Sequence, residues 1–107
     1  MTEGEFDSLA EAALLALERA LDHADLDIDV LVKGTGVVEI EFADDSKIVV
    51  NRHAAAQEIW VAARSGGFHF RFADGAWRDT REGTELFAAL SRLVSAQAGT
   101  PVVLAPA

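Results

Sequence analysis

Between Glu5 and about His23, apolar residues return every three or four positions: Phe6, Leu9, Ala10, Ala13, Leu17, Ala20, Leu21 and Ala24 share one side of a helical wheel. The spacing predicts an amphipathic helix, and Glu3, Glu5 and Asp7 stand near its start, where the helix dipole favours negative charge. From Asp27 the period drops to two. Ile28, Val30 and Val32 alternate with Asp27, Asp29 and Leu31, and Val38, Ile40 and Phe42 alternate with Val37, Glu39 and Glu41. Ala43-Asp44-Asp45-Ser46 reads as a turn into a third strand, Lys47 to Asn51, with Ile48 and Val50 inward. A fourth strand sets Ile59, Val61 and Ala63 against Trp60 and Ala62. After a turn at Ser65-Gly66-Gly67, Phe68, Phe70 and Phe72 alternate with His69 and Arg71. Asp74-Gly75 is a hairpin signal before a short strand around Trp77. The last periodic segment predicts a helix from about Glu82 to Ala98, with Leu86, Phe87, Leu90, Leu93, Val94 and Gln97 on one side and Gly99 and Pro101 beyond its end.

Helix, about six strands in succession, helix: this order predicts an α+β fold, a two-layer α/β sandwich. Hairpin-length connections make the sheet mostly antiparallel, with the N- and C-terminal helices packed on one face. Residues 1–107 then form a single domain, with about 100–107 as a C-terminal tail. The second face of the sheet is expected to be open, presenting Glu39, Glu41, Lys47, Asn51, Trp60 and His69.

Charge changes the picture more than length does. The net charge is -9, but residues 1–45 carry 13 acids against Arg19 and Lys33 alone, while residues 46–107 carry 5 acids and 7 bases. An acidic half repels nucleic-acid phosphates and suits cations or a basic protein surface. Cysteine is absent, which removes disulfides, thiolate metal sites and cysteine nucleophiles and is compatible with a reducing cytoplasm. No apolar run approaches a membrane span, and the acidic start resembles neither a secretory signal nor a basic transit peptide. A cytoplasmic location is expected, without nucleic-acid or membrane partners.

The acids are gathered. Asp7, Glu11, Glu18 and Asp22 form one stripe on the first helix, and Asp25, Asp27 and Asp29 follow at period two, interrupted only by Arg19. Two readings stand side by side: a solvated face that keeps the protein soluble, or an open row of hard oxygen ligands for iron, manganese, calcium or magnesium. Without a preformed cage the second implies weak, poorly selective binding. The run from Asp25 to Asp29 is not an EF-hand loop, since Val30 stands where Gly is required and Gly36 where a bidentate Glu is required. No catalytic constellation is evident: Gly66-Gly67 lacks phosphate-loop spacing, and His23, His53 and His69 lack metal-ligand spacing. Trp60 falls on the outward phase of its strand, as an interaction anchor or as partly buried packing. Trp77 and the Phe68, Phe70, Phe72 stripe suit the core.

The stretch Asn51-Arg52-His53-Ala54-Ala55-Ala56-Gln57-Glu58-Ile59-Trp60-Val61-Ala62, continuing into Ala63-Arg64-Ser65-Gly66-Gly67-Phe68-His69-Phe70, resembles the signature of the frataxin family: an Asn-Arg pair, a Trp-bearing strand, then Gly-Gly-aromatic-His-Phe. Asp27-Ile28-Asp29, Glu41-Phe42, Ser46-Lys47-Ile48, Asp74-Gly75-Ala76-Trp77 and Gln97-Ala98-Gly99 are similar to further pieces, so the resemblance runs along nearly the whole chain. The absence of an N-terminal targeting extension points to the bacterial branch. Ala55 departs from the family's frequent Pro, and His23 and Ala24 stand where many members have an acid and Trp.

The resemblance implies a non-catalytic protein that binds iron (Fe2+ or Fe3+) weakly at its surface, with other divalent cations able to substitute. It implies an acidic ridge of Glu11, Glu18, Asp22, Asp25, Asp27 and Asp29 that holds metal and docks on a basic surface of the cysteine desulfurase. It further implies a sheet face of Asn51, Arg52, Trp60 and His69 that contacts the desulfurase–scaffold assembly, in a protein monomeric without metal. Two competing functions are a slow ferroxidase with iron storage, for which no di-iron Glu-x-x-His pair is present, and a generic acidic interaction module.

Overall fold

Thr2 caps the first helix, which begins at Glu3, two residues ahead of the predicted onset. In the computed structural model, which describes residues 1–106, Glu5 N–H donates to the Thr2 hydroxyl at 3.1 Å and Thr2 N–H donates to the Glu5 carboxylate at 3.0 Å. This reciprocal capping box satisfies two otherwise orphaned donors. Helix α1 runs Glu3–His23 and buries Phe6, Ala10, Leu14, Leu17, Ala20 and Leu21. The buried stripe is thus centred on Leu14, which the wheel above passed over, while Leu9 and Ala13 lie at its flank. The chain then forms β1 (Ile28–Lys33), β2 (Val37–Phe42), β3 (Lys47–His53), a single 3-10 turn (Ala54–Ala56), β4 (Glu58–Ala63), β5 (Gly66–Ala73), β6 (Ala76–Asp79) and α2 (Leu86–Ala98).

The six strands lie in chain order and every neighbouring pair is antiparallel. Register sets Ile40 against Ile48, Val50 against Val61 and Ile59 against Phe70. These residues share one face and are wholly or almost wholly buried beneath the helices. Phe6 of α1 meets the ring of Trp77 edge-on at 5.9 Å, and Phe72 meets the same ring at 5.5 Å. Each large apolar side chain removed from water here contributes about 1.5–3 kcal/mol. The α+β sandwich with both helices on one face is therefore the observed architecture.

Helix α2 begins at Leu86, four residues after the predicted start. Asp79 turns the chain first: its carboxylate accepts from Arg81 N–H at 2.8 Å and its carbonyl from Gly83 N–H at 2.9 Å, with Gly83 at φ 75°. Glu85 then caps the helix, accepting from Phe87 N–H at 2.8 Å and Ala88 N–H at 3.1 Å. Gly99, at φ 72°, ends it in the left-handed conformation glycine adopts without steric cost. Near that end the buried Gln97 ties α2 to the sheet turns, accepting from Arg64 N–H at 3.0 Å and donating to the Ser46 hydroxyl at 2.9 Å.

Residues 100–106 run back along α2. Val102 N–H donates to the Ser95 hydroxyl at 2.9 Å, and Leu104 N–H donates to the Ser91 hydroxyl at 2.8 Å. Leu104 is only 3% exposed, whereas Val103 is 87% exposed. The contrast yields a prediction. Leu104→Ala lowers unfolding free energy by about 2–4 kcal/mol and Ser91→Ala by about 1 kcal/mol, while Val103→Ala leaves it unchanged. Urea denaturation of the three variants checks this.

Candidate functional site

Two surfaces gather the residues singled out above. The first follows the open edge of the sheet, where β1 has a neighbour on one side only. Glu11 and Glu18 project from α1 over a groove of about 220 Å3, which Leu14, Leu15 and the β1–β2 hairpin also line. Asp22 lies in the last turn of α1, Asp25 and Asp27 in the link to β1, and Asp29 in β1 opposite Glu41. Asp25 and Asp27 border a second depression together with Asp44.

Glu18 is half-buried and the other five acids are exposed. Among the described residues none of the six is in an ion pair. Two nearby cations, Lys33 and Lys47, are already engaged, while Arg19 is in no ion pair among the described residues. Lys33 and Lys47 hold Glu39 at 2.9 and 3.1 Å, and Lys47 also reaches Glu41 at 3.4 Å. The hydrogen bond from Lys33, then that from Lys47, keeps the Glu39 carboxyl below the usual carboxylate range. Asp7, which belongs to the same helical stripe, is the member taken by a cation, 3.9 Å from Arg52. His23 faces its own helix, its Nδ1 lying 2.7 Å from the Arg19 carbonyl. Among the described residues no three of His, Asp and Glu converge as a metal cage. Any ion on this edge therefore keeps most of its water or recruits ligands from another molecule.

The second surface is the open face of the sheet. Asn51, Trp60 and His69 stand directly opposite one another on β3, β4 and β5. Trp60 is half-buried, stacked against His53 at 3.9 Å and His69 at 4.6 Å between ring centroids, each within 10° of parallel. Arg52 does not join this row. Strand alternation turns it to the helix side, where its guanidinium meets Asp7 and donates to the Thr35 hydroxyl at 3.2 Å. Its side chain also packs so close to Gly36 that a Cβ there would lie 3.0 Å from Arg52 Cγ. The expected four-residue contact is therefore split, with Arg52 on one face and the other three on the opposite face.

Three further residues complete the open face and were not foreseen from the sequence: His53, Glu58 and Arg71. Glu58 is buried although it faces away from the helices. Its carboxylate accepts from Trp60 Nε1 at 2.8 Å and from Arg71 Nε at 2.6 Å, and lies 3.5 Å from His69 Nδ1. Burial pushes the Glu58 carboxyl up, but the hydrogen bonds from Trp60 and Arg71, with the nearby charges of Arg71 and His69, outweigh it and leave the group below its ordinary value. A signal did exist in the sequence, since Glu58 precedes Trp60 by two and so shares its face. Arg71 becomes its partner only once register sets Ile59 against Phe70.

A depressed carboxylate stabilises the fold fully above its unfolded pKa, near 4.5, and that contribution disappears as pH falls through the lower folded value. Glu58→Gln is therefore expected to be less sensitive to acid than the parent below about pH 4.5, and Glu58→Ala to lose about 1–3 kcal/mol at neutral pH. Chemical denaturation across a pH series measures both.

The model of the frataxin-like domain matches residues 1–100. An iron–sulfur cluster assembly protein CyaY from Dechloromonas aromatica is 56% identical over 104 residues, covering 97% of this chain and 99% of its own length. The protein of that name from Paraburkholderia phymatum is 54% identical over 106 residues, covering 99% and 100%. Among solved structures, frataxin from Psychromonas ingrahamii superposes with a TM-score of 0.87 at 26% identity, over 95% of this chain and 96% of that one. A trimeric frataxin from Saccharomyces cerevisiae in a ferrous complex superposes at 0.66 with 27% identity, over 94% and 88%. Matched along nearly its whole length in both sequence and fold, the chain belongs to the frataxin family, in its bacterial CyaY branch.

Proposed function

We propose that this protein acts in cytoplasmic iron–sulfur cluster assembly by binding: it takes up iron as cargo on the acidic edge and regulates the cysteine desulfurase–scaffold complex on which it docks. It is not an enzyme. Relatives more than half identical to it carry iron–sulfur cluster assembly in their names, and the yeast family member is described in a ferrous complex.

The observation that carries the reading is the row Glu11, Glu18, Asp22, Asp25, Asp27 and Asp29, none of which is ion-paired among the described residues. Like charges roughly 6–10 Å apart cost about 0.4–1.4 kcal/mol per pair at a surface dielectric, before salt screening. A cation or a basic protein surface relieves that repulsion, and ligand binding to the folded state then raises stability by mass action. Hard carboxylate oxygens suit ferrous and ferric ions. The open geometry supports weak, labile binding, as cargo requires. The same field steers a basic surface of the desulfurase onto the ridge, while Trp60, with Asn51 and His69 beside it, supplies a second contact on the open sheet face.

Two expectations follow from the ridge. Millimolar ferrous iron under anaerobic conditions raises the melting temperature at low ionic strength, and the NMR shifts it causes cluster between Glu18 and Asp29. The combined reversal Asp22→Lys, Asp25→Lys and Asp27→Lys weakens both iron and desulfurase binding by at least tenfold and flattens the salt dependence of the latter. A triple variant that binds iron and desulfurase as the parent does would reject the ridge as the site.

A further inference from the structure

Trp60 meets solvent only by its rim. His53 on the β3 side covers one face of the indole and His69 on the β5 side covers the other, with both imidazoles within 10° of parallel to it. A half-buried tryptophan on an open sheet face has several staggered rotamers available, so something selects the one that completes this stack. Glu58 shares the face of β4 that carries Trp60. Only 7% of its side chain is exposed, and the groups that match its charge or donate hydrogen bonds to it, Trp60, His69 and Arg71, all belong to the open face. A buried carboxylate is costly unless it is matched in this way, and the core gains nothing from one that points away from both helices. His53 is held separately: its Nδ1 accepts from Ala56 N–H at 3.3 Å, which leaves the proton of the neutral ring on Nε2.

We infer that Glu58 is the positioning residue of the docking face, locking Trp60 on edge between His53 and His69. The inference rests on the reading above that this face docks. The partner then meets a rigid ladder of three ring edges flanked by Asn51 and Arg71. Aromatic edges are electropositive, and the flanking amide and guanidinium are donors. The surface fits an extended protein segment that offers carbonyl or carboxylate acceptors. The indole N–H is already bound to Glu58 and takes no part in that recognition. The entropy of ordering Trp60 is lost on folding, so it does not weaken binding.

The test compares Glu58→Ala, Glu58→Met, Glu58→Gln and Trp60→Ala with the parent. In the free protein, NMR reads exchange of the Trp60 indole proton and the ring-current shifts that the indole imposes on His53 and His69. Glu58→Ala and Glu58→Met, of which the bulkier fills the space of the lost carboxylate, speed indole exchange at least tenfold and abolish the ring shifts. Both weaken binding to the purified desulfurase–scaffold complex about tenfold. Glu58→Gln keeps an acceptor for the indole and retains the shifts and most of the affinity. Glu58→Ala combined with Trp60→Ala binds no more weakly than Trp60→Ala alone. Intact ring shifts in a cooperatively melting Glu58→Ala or Glu58→Met variant overturn the positioning role, as do additive losses in the double variant. Parental affinity in Trp60→Ala instead overturns the docking reading beneath it.

Discussion

A β-strand sends successive side chains to opposite faces, and here one face is given entirely to the helices. That leaves the other free for recognition. Val50 opposes Val61 and Val61 opposes Phe68 on the core side, while one position along each strand Asn51 opposes Trp60 and Trp60 opposes His69 on the open side. A slip of one residue would exchange the two sets, burying the Asn–Trp–His row and exposing the core of the sandwich. The docking face is thus held in register by the same pairing that holds the core, and the packing of Phe6, Leu17, Leu86 and Leu90 against the inner face enforces both.

Charge divides the surface along different lines. On the open face, Glu39 and Glu58 are both buried, and each is matched: Glu39 by Lys33 and Lys47, Glu58 by Arg71 and the indole N–H. At the β1 edge the six ridge acids, five exposed and Glu18 half-buried, have no ion pair among the described residues. The first arrangement is structural, since removing a partner strands a buried charge. The second leaves a field pointing outward, available to an arriving cation. Of the two bases of the acidic half, Lys33 is held by Glu39, and Arg19 forms no ion pair with the ridge acids among the described residues. The negative potential at the edge therefore survives folding.

Much of the fold was legible because period and turn chemistry are local. Six strands in chain order follow from alternation between turn signals, and the outward phase of Trp60 follows from Ile59 and Val61 beside it. The misses have distinct physical causes. Helix α2 starts late because Asp79 and Gly83 build a turn that competes with the helical pattern. Arg52 sits beside Asn51 in sequence, so the pair reads as one site, yet adjacent residues of a strand cannot share a face. Residues 100–106 carry too little pattern to announce that Ser91 and Ser95 would bind their backbone. Glu58 and Arg71 are thirteen residues apart, and their contact exists only through hairpin register.

By itself the sequence determined which segments are helical or extended, where the acids concentrate, and which family signature the centre of the chain carries. These depend on the order of neighbouring residues, and the chain presents that order before it folds. Only the tertiary structure decided which carboxylates remain without a cation, that Arg52 turns inward to Asp7, and that a buried glutamate holds a tryptophan between two histidines. Each of these depends on strand pairing and layer packing, which bring together side chains that no local pattern connects.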